Sequence, residues 1–303
     1  MTIRIKETKS DRLFVLSCYL YLLVALVIVI YPLIYIISAS VSDPKYVGSG
    51  EMWLYPMGIT FDGYSRVLQN EEIWGGYSNT ILYTVVGTLV NLAVTLPAAY
   101  ALSRQDLAGR GLVMGLILFT MFFSGGLVPT YLLVKDLHMI DTMWALILPS
   151  AATVWNIIVS RTFFQSTIPR ELQEASEIDG CSDFKLFISI VLPLSAPIIT
   201  VMALFYGITH WNSYFSALIY LNDADKFPLQ MVLRKILVLQ ELSAESMGIG
   251  VSGDSAAAMD KKAEIASLMK YSVIIVSTLP VVIIYPFLQR FFVQGVMIGS
   301  VKG

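Results

Sequence analysis

Ile168-Pro169-Arg170-Glu171-Leu172-Gln173-Glu174-Ala175-Ser176-Glu177-Ile178-Asp179-Gly180 is the stretch that decides how this chain is read. It is polar and acidic, yet it lies between two charge-free runs, 142–160 and 186–222. Pro169 suits the first helical position, where its missing N–H costs nothing. Gly180 suits the stop, where a left-handed residue ends a helix. A helix of about three turns is expected between them. Glu171, Glu174 and Glu177 recur every third residue and form an acidic stripe that Asp179 closes. Leu172, Ala175 and Ile178 form an apolar stripe beside it. Ser182 is placed to cap the next helix, which runs through Lys185 into the following run. Small residues at Ala175, Ser176 and Gly180 would admit another protein closely. By pattern alone the element is either a docking helix or a surface helix folded back on its own bundle.

Outward from this stretch, the charges are sparse. Of 303 residues, 14% are charged and 56% hydrophobic, against about 25% charged in a soluble domain. Six long runs avoid Asp, Glu, Lys and Arg almost entirely: 13–42, 73–103, 111–134, 142–160, 186–222 and 271–289. Each suffices for a bilayer, which needs about 20 apolar residues. The expected fold is therefore all-α, a polytopic membrane bundle of six transmembrane helices. The first run is too long for a signal-peptide core, although Ser38-Ala39-Ser40 resembles a cleavage site; it reads as an uncleaved anchor. Lys and Arg concentrate in the amino-terminal tail, after the second run (Arg104, Arg110), in 161–185 (Arg161, Arg170, Lys185) and after the last run (Arg290, Lys302). That bias places both termini and the 167–193 loop in the cytoplasm, and 223–270 outside. Pro32, Pro97, Pro129, Pro149, Pro193, Pro197, Pro280 and Pro286 punctuate the runs, so bent helices are expected. Gly111-x-x-x-Gly115 is a weak candidate for close helix packing.

The net charge of −2 leaves no basic field for nucleic acid. Cys18, Cys181, His138 and His210 are too few and too scattered for a disulfide framework or a His/Cys metal centre. Gly248-Ile249-Gly250-Val251-Ser252-Gly253 matches a dinucleotide pattern but follows no strand, so it reads as loop. No Walker-type phosphate loop occurs, so ATP is not expected on this chain.

Glu174-Ala175-Ser176, three residues, Gly180, nine residues, then Ile190-x-Leu192-Pro193 resembles the EAA loop of ABC importer permeases. Every spacing agrees, and Ser176 for the second Ala is the single departure. The resemblance covers a core from about residue 74 to 290 and extends to the carbohydrate-importer branch (MalG/LplC-like). Supporting it are Asn79-Thr80, Gly125-Gly126-Leu127-Val128-Pro129-Thr130-Tyr131, Asp141-Thr142, Trp144 to Pro149, Trp211-Asn212-Ser213-Tyr214-Phe215 and Gly299 to Gly303. It implies a MetI-like permease core at 74–290, after an anchor region at 1–73 and before a cytoplasmic tail at 291–303. It also implies two cytoplasmic ATPase subunits carrying ATP and Mg²⁺, a second related permease subunit, and an extracytoplasmic solute-binding protein that delivers carbohydrate. By carry-over, Glu171, Glu174, Ala175, Ser176, Ile178, Asp179 and Gly180 form the ATPase-coupling element. The chain itself is then not an enzyme and carries no cofactor; lipid surrounds it.

Polar and aromatic residues at membrane depth are costly unless they line a cavity. Trp211, Asn212 and Tyr214 are the candidate pathway residues, since sugars offer apolar faces and hydroxyl rims. Counting about 20 residues from Leu186 puts Trp211 near the outer surface, where an interfacial aromatic belt is the competing reading. Asn91, Asn156 and Tyr100 are secondary candidates, and His210 reads as a satisfied polar residue. The long loop 223–270, helical over 230–241 and flexible over 244–258, is expected to meet the binding protein together with 43–72. Three classes stay open: a carbohydrate importer, the same machinery with another polar cargo, and a channel or membrane enzyme.

Overall fold

The computed structural model describes residues 8–246 and 269–286, and every regular element among them is helical. The glycine motif 248–253, the terminal basic residues Arg4, Lys6, Arg290 and Lys302, and 247–258 of the stretch expected to be flexible lie outside the described residues, whereas 244–246 is helical. The chain divides into two compact units, 1–70 with 236–276, and 71–235 with 277–303.

In the first unit, α1 (Lys9–Ser40) is a 32-residue helix opened by a capping box between Thr8 and Asp11. Its apolar side chains are exposed along most of its length. Water would penalise that surface heavily, whereas lipid satisfies it. Only Ser38, Ala39 and Ser40 are buried. There Ser38 Oγ donates to Leu54 O at 2.6 Å, and Ser40 Oγ meets Tyr64 OH at 2.8 Å. The sequence resembling a cleavage site is thus a packed helix end. Short helices α2 (Pro44–Gly48) and α3 (Asp62–Gln69) follow.

The second unit opens with α4 (Glu71–Ser103), continuous through Pro97. Next come α5 (Arg110–Phe122) and α6 (Leu127–Asp136), then α7 (Trp144–Ile147) running into a 3-10 turn, and α8 (Val154–Thr167). The short α9 (Arg170–Ile178) precedes α10 (Asp183–Leu186), which passes through a π-turn into α11 (Leu192–Leu194). The remaining helices are α12 (Ala196–Trp211), α13 (Phe215–Tyr220), α14 (Leu229–Ser246), which crosses into the first unit, and α15 (Met269–Pro286).

Three of the expected spans are sharply bent, as the prolines that punctuate them led one to expect. α5 and α6 meet at 112°, α7 and α8 at 53°, and 183–194 meets α12 at 83°. Among the described residues three helices are long and apolar enough to cross a membrane alone, and up to six spans result if each bent pair counts as one. The causes are local. Gly126 takes φ 87°, ψ 178°, a conformation open mainly to glycine, and Pro129 follows in the first turn of α6. Pro149 sits in the 3-10 turn. Pro193 cannot donate to the carbonyl four residues back, and the π-turn at Phe187–Val191 lies immediately before it.

Leu96, Ala99, Tyr100 and Leu102 of α4 pack with Phe163 and Phe164 of α8, and with Met202 and Tyr206 of α12. Tyr83 packs with Val134, Leu146 and Tyr220 in a separate cluster further towards the start of α4. Gly111 and Gly115 meet nothing within 4 Å, so that motif makes no close approach among the described residues. The close approach occurs at Gly87, where an added Cβ would lie 2.5 Å from His210 Nε2.

Candidate functional site

α9 forms as its punctuation requires, with one shift: Pro169 is the cap rather than the first helical residue. Gly180 adopts φ 69°. Cys181 N donates to Ser176 O at 2.9 Å and Gly180 N to Glu177 O at 3.0 Å, a complete Schellman closure. Ser182 Oγ then accepts from Lys185 N at 3.4 Å and starts α10. The turn between α9 and α10 is therefore fixed by backbone bonds.

The faces of α9 differ from the two stripes expected. Leu172 packs against the large core cluster, and Ser176 is buried with its Oγ on Gln173 O. The small residue at Ser176 thus serves packing against the bundle rather than approach from outside. Outward lie Glu171, Glu174, Ala175, Ile178, Asp179 and Gly180, with Ile178 87% exposed and Phe184 nearby on α10 73% exposed. Glu177 turns away from the other acids to Arg104.

Arg104 is the residue that sequence reasoning used only for orientation. It follows the last turn of α4, and its side chain is 10% exposed. It bonds Asp106 at 2.6 Å, Asp183 of α10 at 2.8 Å and Glu177 of α9 at 3.2 Å. The hydrogen bond to Asp106 leads in pushing the guanidinium above its ordinary range, and the same bond holds the Asp106 carboxyl below its own. Arg161 Nε donates to Leu102 O at 2.9 Å, and Arg110 Nη1 to Arg104 O at 3.0 Å. α4 has no basic residue in its last turn; guanidinium groups from beyond the helix supply the donors and positive charge its carbonyl end favours. The basic excess of the loops was visible in sequence, but the pairing was not.

The pathway candidates separate. Trp211 is buried: its Nε1 donates to Ser277 O at 3.1 Å, and its ring lies edge-on to Tyr77 at 5.8 Å. It borders an apolar cavity of about 370 Å³ with Thr84 and Thr88. Asn212, Ser213 and Tyr214 instead line a second cavity of about 390 Å³ with Ser150, Thr209 and His210. α12 ends at Trp211, so consecutive side chains diverge. Asn212 Nδ2 bonds Ile208 O of its own helix. The Tyr214 hydroxyl is buried without a partner, and the Arg234 guanidinium stands 4.7 Å over the Tyr214 ring.

His210 Nε2 lies 2.6 Å from Asn91 Oδ1, and Asn91 Nδ2 donates to Ser150 O at 2.6 Å. Because the amide nitrogen is committed to a carbonyl, Asn91 Oδ1 accepts and the imidazole proton is on Nε2. His210 is thus a satisfied buried residue, as expected. Thr95 Oγ1 and Tyr206 OH form a second buried pair at 2.7 Å. Asn156 lines a third cavity, of about 470 Å³, beside His210. Tyr100 does not join these polar residues; it stacks on Phe187 at 5.1 Å in the core. Trp211 follows His210, which faces Gly87 near the middle of α4. The segment 183–194 meets α12 at 83°.

At the other end of α4, the motif residues fasten the segment after α13. Asn79 Nδ2 donates to Asp225 O and Phe227 O, Tyr83 OH to Lys226 O, and Leu229 N to Thr80 Oγ1. Asp141, at φ 63°, accepts from Asn222 N, Asp223 N and Lys226 Nζ at 3.0, 3.1 and 2.9 Å. Those bonds, the backbone one from Asp223 foremost, draw its carboxyl down to about 2. α14 starts one residue before the expected helix and runs five residues further, as Leu229–Ser246.

Broken spans around buried polar pairs, with a rigid loop helix presented from the bundle, define a multi-pass transport permease. The family of binding-protein-dependent transport system inner membrane components is matched over residues 73–298, and the chain belongs to it. Protein LplC of Bacillus subtilis is 42% identical over 98% of this chain and 97% of its own length. The polygalacturonan/rhamnogalacturonan transport system permease protein YtcP of the same species is 40% identical over 97% of this chain and 100% of its own. A crystal structure of a bacterial ABC transporter involved in the import of the acidic polysaccharide alginate contains a chain with TM-score 0.83 and 33% identity. That match covers 95% of this chain and 99% of the other. These likenesses carry the fold as a MetI-like permease and overturn the channel or membrane-enzyme reading.

Proposed function

We propose that the chain forms half of the translocation pathway of an ATP-driven importer of carbohydrates, with oligosaccharides as cargo. The observation that carries the reading is α9. It is closed by a Schellman turn, tied to the end of α4 through Arg104, and leaves Ile178, Ala175, Glu171 and Glu174 outward. A short rigid helix with an apolar tip and acidic flank suits a groove on another protein. Two cytoplasmic ATPase subunits are its partners, and ATP and Mg²⁺ belong to them. A second related permease supplies the other half of the passage, and an extracytoplasmic binding protein delivers cargo. Asp179 and Gly180 set the angle of the element. Closure of the ATPases moves α9 as a lever, and the bundle switches between two packings.

The cavity at Asn212, Ser213 and Tyr214 supports a sugar cargo, because its largely apolar lining also offers hydroxyl, amide and aromatic surfaces. The relatives named for polygalacturonan and alginate transport support the same class. Two experiments test this. Affinity capture of the intact chain from a membrane expressing its operon neighbours should recover an ATPase subunit. Binding assays on the partner binding protein should rank glycans above peptides; the reverse ranking would remove the carbohydrate reading.

A further inference from the structure

We infer that the connecting segment 52–61 of the first unit lies on the membrane, with Trp53, Tyr55, Ile59 and Phe61 entering the lipid headgroup layer at the carboxyl-terminal end of α1. The inference is independent of the cargo. No charged residue occurs between Glu51 and Asp62. Met52 is buried and Leu54 half-buried, but Trp53, Tyr55, Ile59 and Phe61 are 68%, 84%, 69% and 64% exposed. A contiguous exposed apolar face of this kind marks a surface that something covers.

The backbone holds those side chains outward. Met52 N donates to Tyr46 O, Asp43 N to Met57 O and Thr60 N to Val41 O, each at 3.0 Å. Met57 N donates to Ser42 Oγ at 3.1 Å, and Leu54 O accepts from Ser38 Oγ. Gly58 turns the segment at φ 62°, so close to α2 that an added Cβ would lie 2.9 Å from Tyr46 Cε2. These bonds also prepare the segment for lipid, where an unpaired amide or carbonyl is costly.

The register against α1 identifies lipid as the cover. A bilayer core that starts at Leu13, just past Arg12, takes about 20 helical residues and ends near Leu33. Trp53 Nε1 donates to Tyr31 OH at 3.0 Å, within one turn of that boundary. Leu54 and Met57 are bonded beside Ser38 and Ser42, further along the same helix end. The exposed face of the segment therefore continues the lipid-facing surface of α1 at headgroup depth. Indole and phenol rings suit that depth, with an apolar body and a polar tip. Glu51 and Asp62 bracket the segment, exposed and on the water side. This removes 52–61 from the surface expected to meet the binding protein.

The test uses the complete importer in phospholipid vesicles, with the binding protein present. Tyr55, Ile59 or Phe61 is replaced in turn by benzoylphenylalanine, a photoreactive aromatic residue, and the chain is weighed after irradiation. Sugar uptake confirms that each preparation is folded. Leu26, exposed in the middle of α1, is the lipid control, and Gln69 at the end of α3 is the water control. Positions 55, 59 and 61 should each gain the mass of one phospholipid, as position 26 does, while position 69 gains none. Cross-links from these positions to the binding protein or the partner permease would overturn the inference in favour of a protein interface. The absence of any adduct at 55, 59 and 61, where position 26 gives one, would overturn it in favour of water.

Discussion

Gly87 is the residue on which the α4–α12 contact turns. A methyl there would sit 2.5 Å from His210 Nε2 and 2.8 Å from its Cδ2. The imidazole is itself held by Asn91, so it cannot swing aside without leaving Asn91 unpaired. Gly87→Ala should therefore destabilise the protein by about 1–3 kcal/mol, read as a lowered Tm in detergent. Asp141 makes a different prediction. Its carboxyl is held at about 2 against an ordinary 3.8. A depressed acid stabilises the fold above its unfolded value and loses that contribution as pH falls through the folded value. The stability gap between wild type and Asp141→Asn should stay constant from about pH 7 to 5, then shrink between about 4 and 2. Melting curves at stepped pH check this. Neither residue's role could be read from composition. His210 and Gly87 are far apart in sequence, and Asp141 was visible only as part of a motif.

The helix α9 was largely legible in advance. Pro169 and Gly180 bracket it because one lacks a donor and the other tolerates positive φ. What the sequence misassigned was the face. Every third residue was read as one stripe, but a helix turns 3.6 residues per turn. Over two turns the difference turns Leu172 inward, swings the exposed Glu177 to the side of Arg104, and leaves Ile178 and Glu174 outward. Arg104 fixes that orientation. Its three carboxylate partners are well exposed, so each pair is worth about 0.2–1 kcal/mol. Arg104→Gln should then shift Tm by only a few degrees while lowering the sugar moved per ATP hydrolysed. An equal fall in ATP hydrolysis and uptake would contradict a role in transmission. Ile178→Ser should weaken ATPase association by about tenfold or more, since burying such a side chain is worth about 1.5–3 kcal/mol; titration of the ATPase onto permease vesicles measures it. The spans show the same limit. Charge gaps located all six hydrophobic runs, and their prolines announced bending; hydropathy does not register the torsion angles at Gly126 or the missing donor at Pro193, so the places and angles of the three breaks were not legible.

For the molecule as a whole, α4 joins the two functional ends. Asn79 and Tyr83 hold the segment that leads into α14, and Arg104 holds the loop helix, about 35 Å away along a helix rising 1.5 Å per residue. Between them lie the His210–Asn91 and Thr95–Tyr206 pairs. On the proposed coupling role, a lever at one end would act on the passage through one continuous element. The basic bias predicts that both termini face the cytoplasm; impermeant thiol labelling of single cysteines placed near either end of inverted and right-side-out vesicles checks that orientation. The central claim, that ATPase closure enters through α9, is tested most directly by ATP-driven sugar uptake in vesicles holding the complete importer with Glu174→Lys. The account predicts loss of both ATPase association and uptake at normal permease levels. Uptake at the wild-type rate would contradict it.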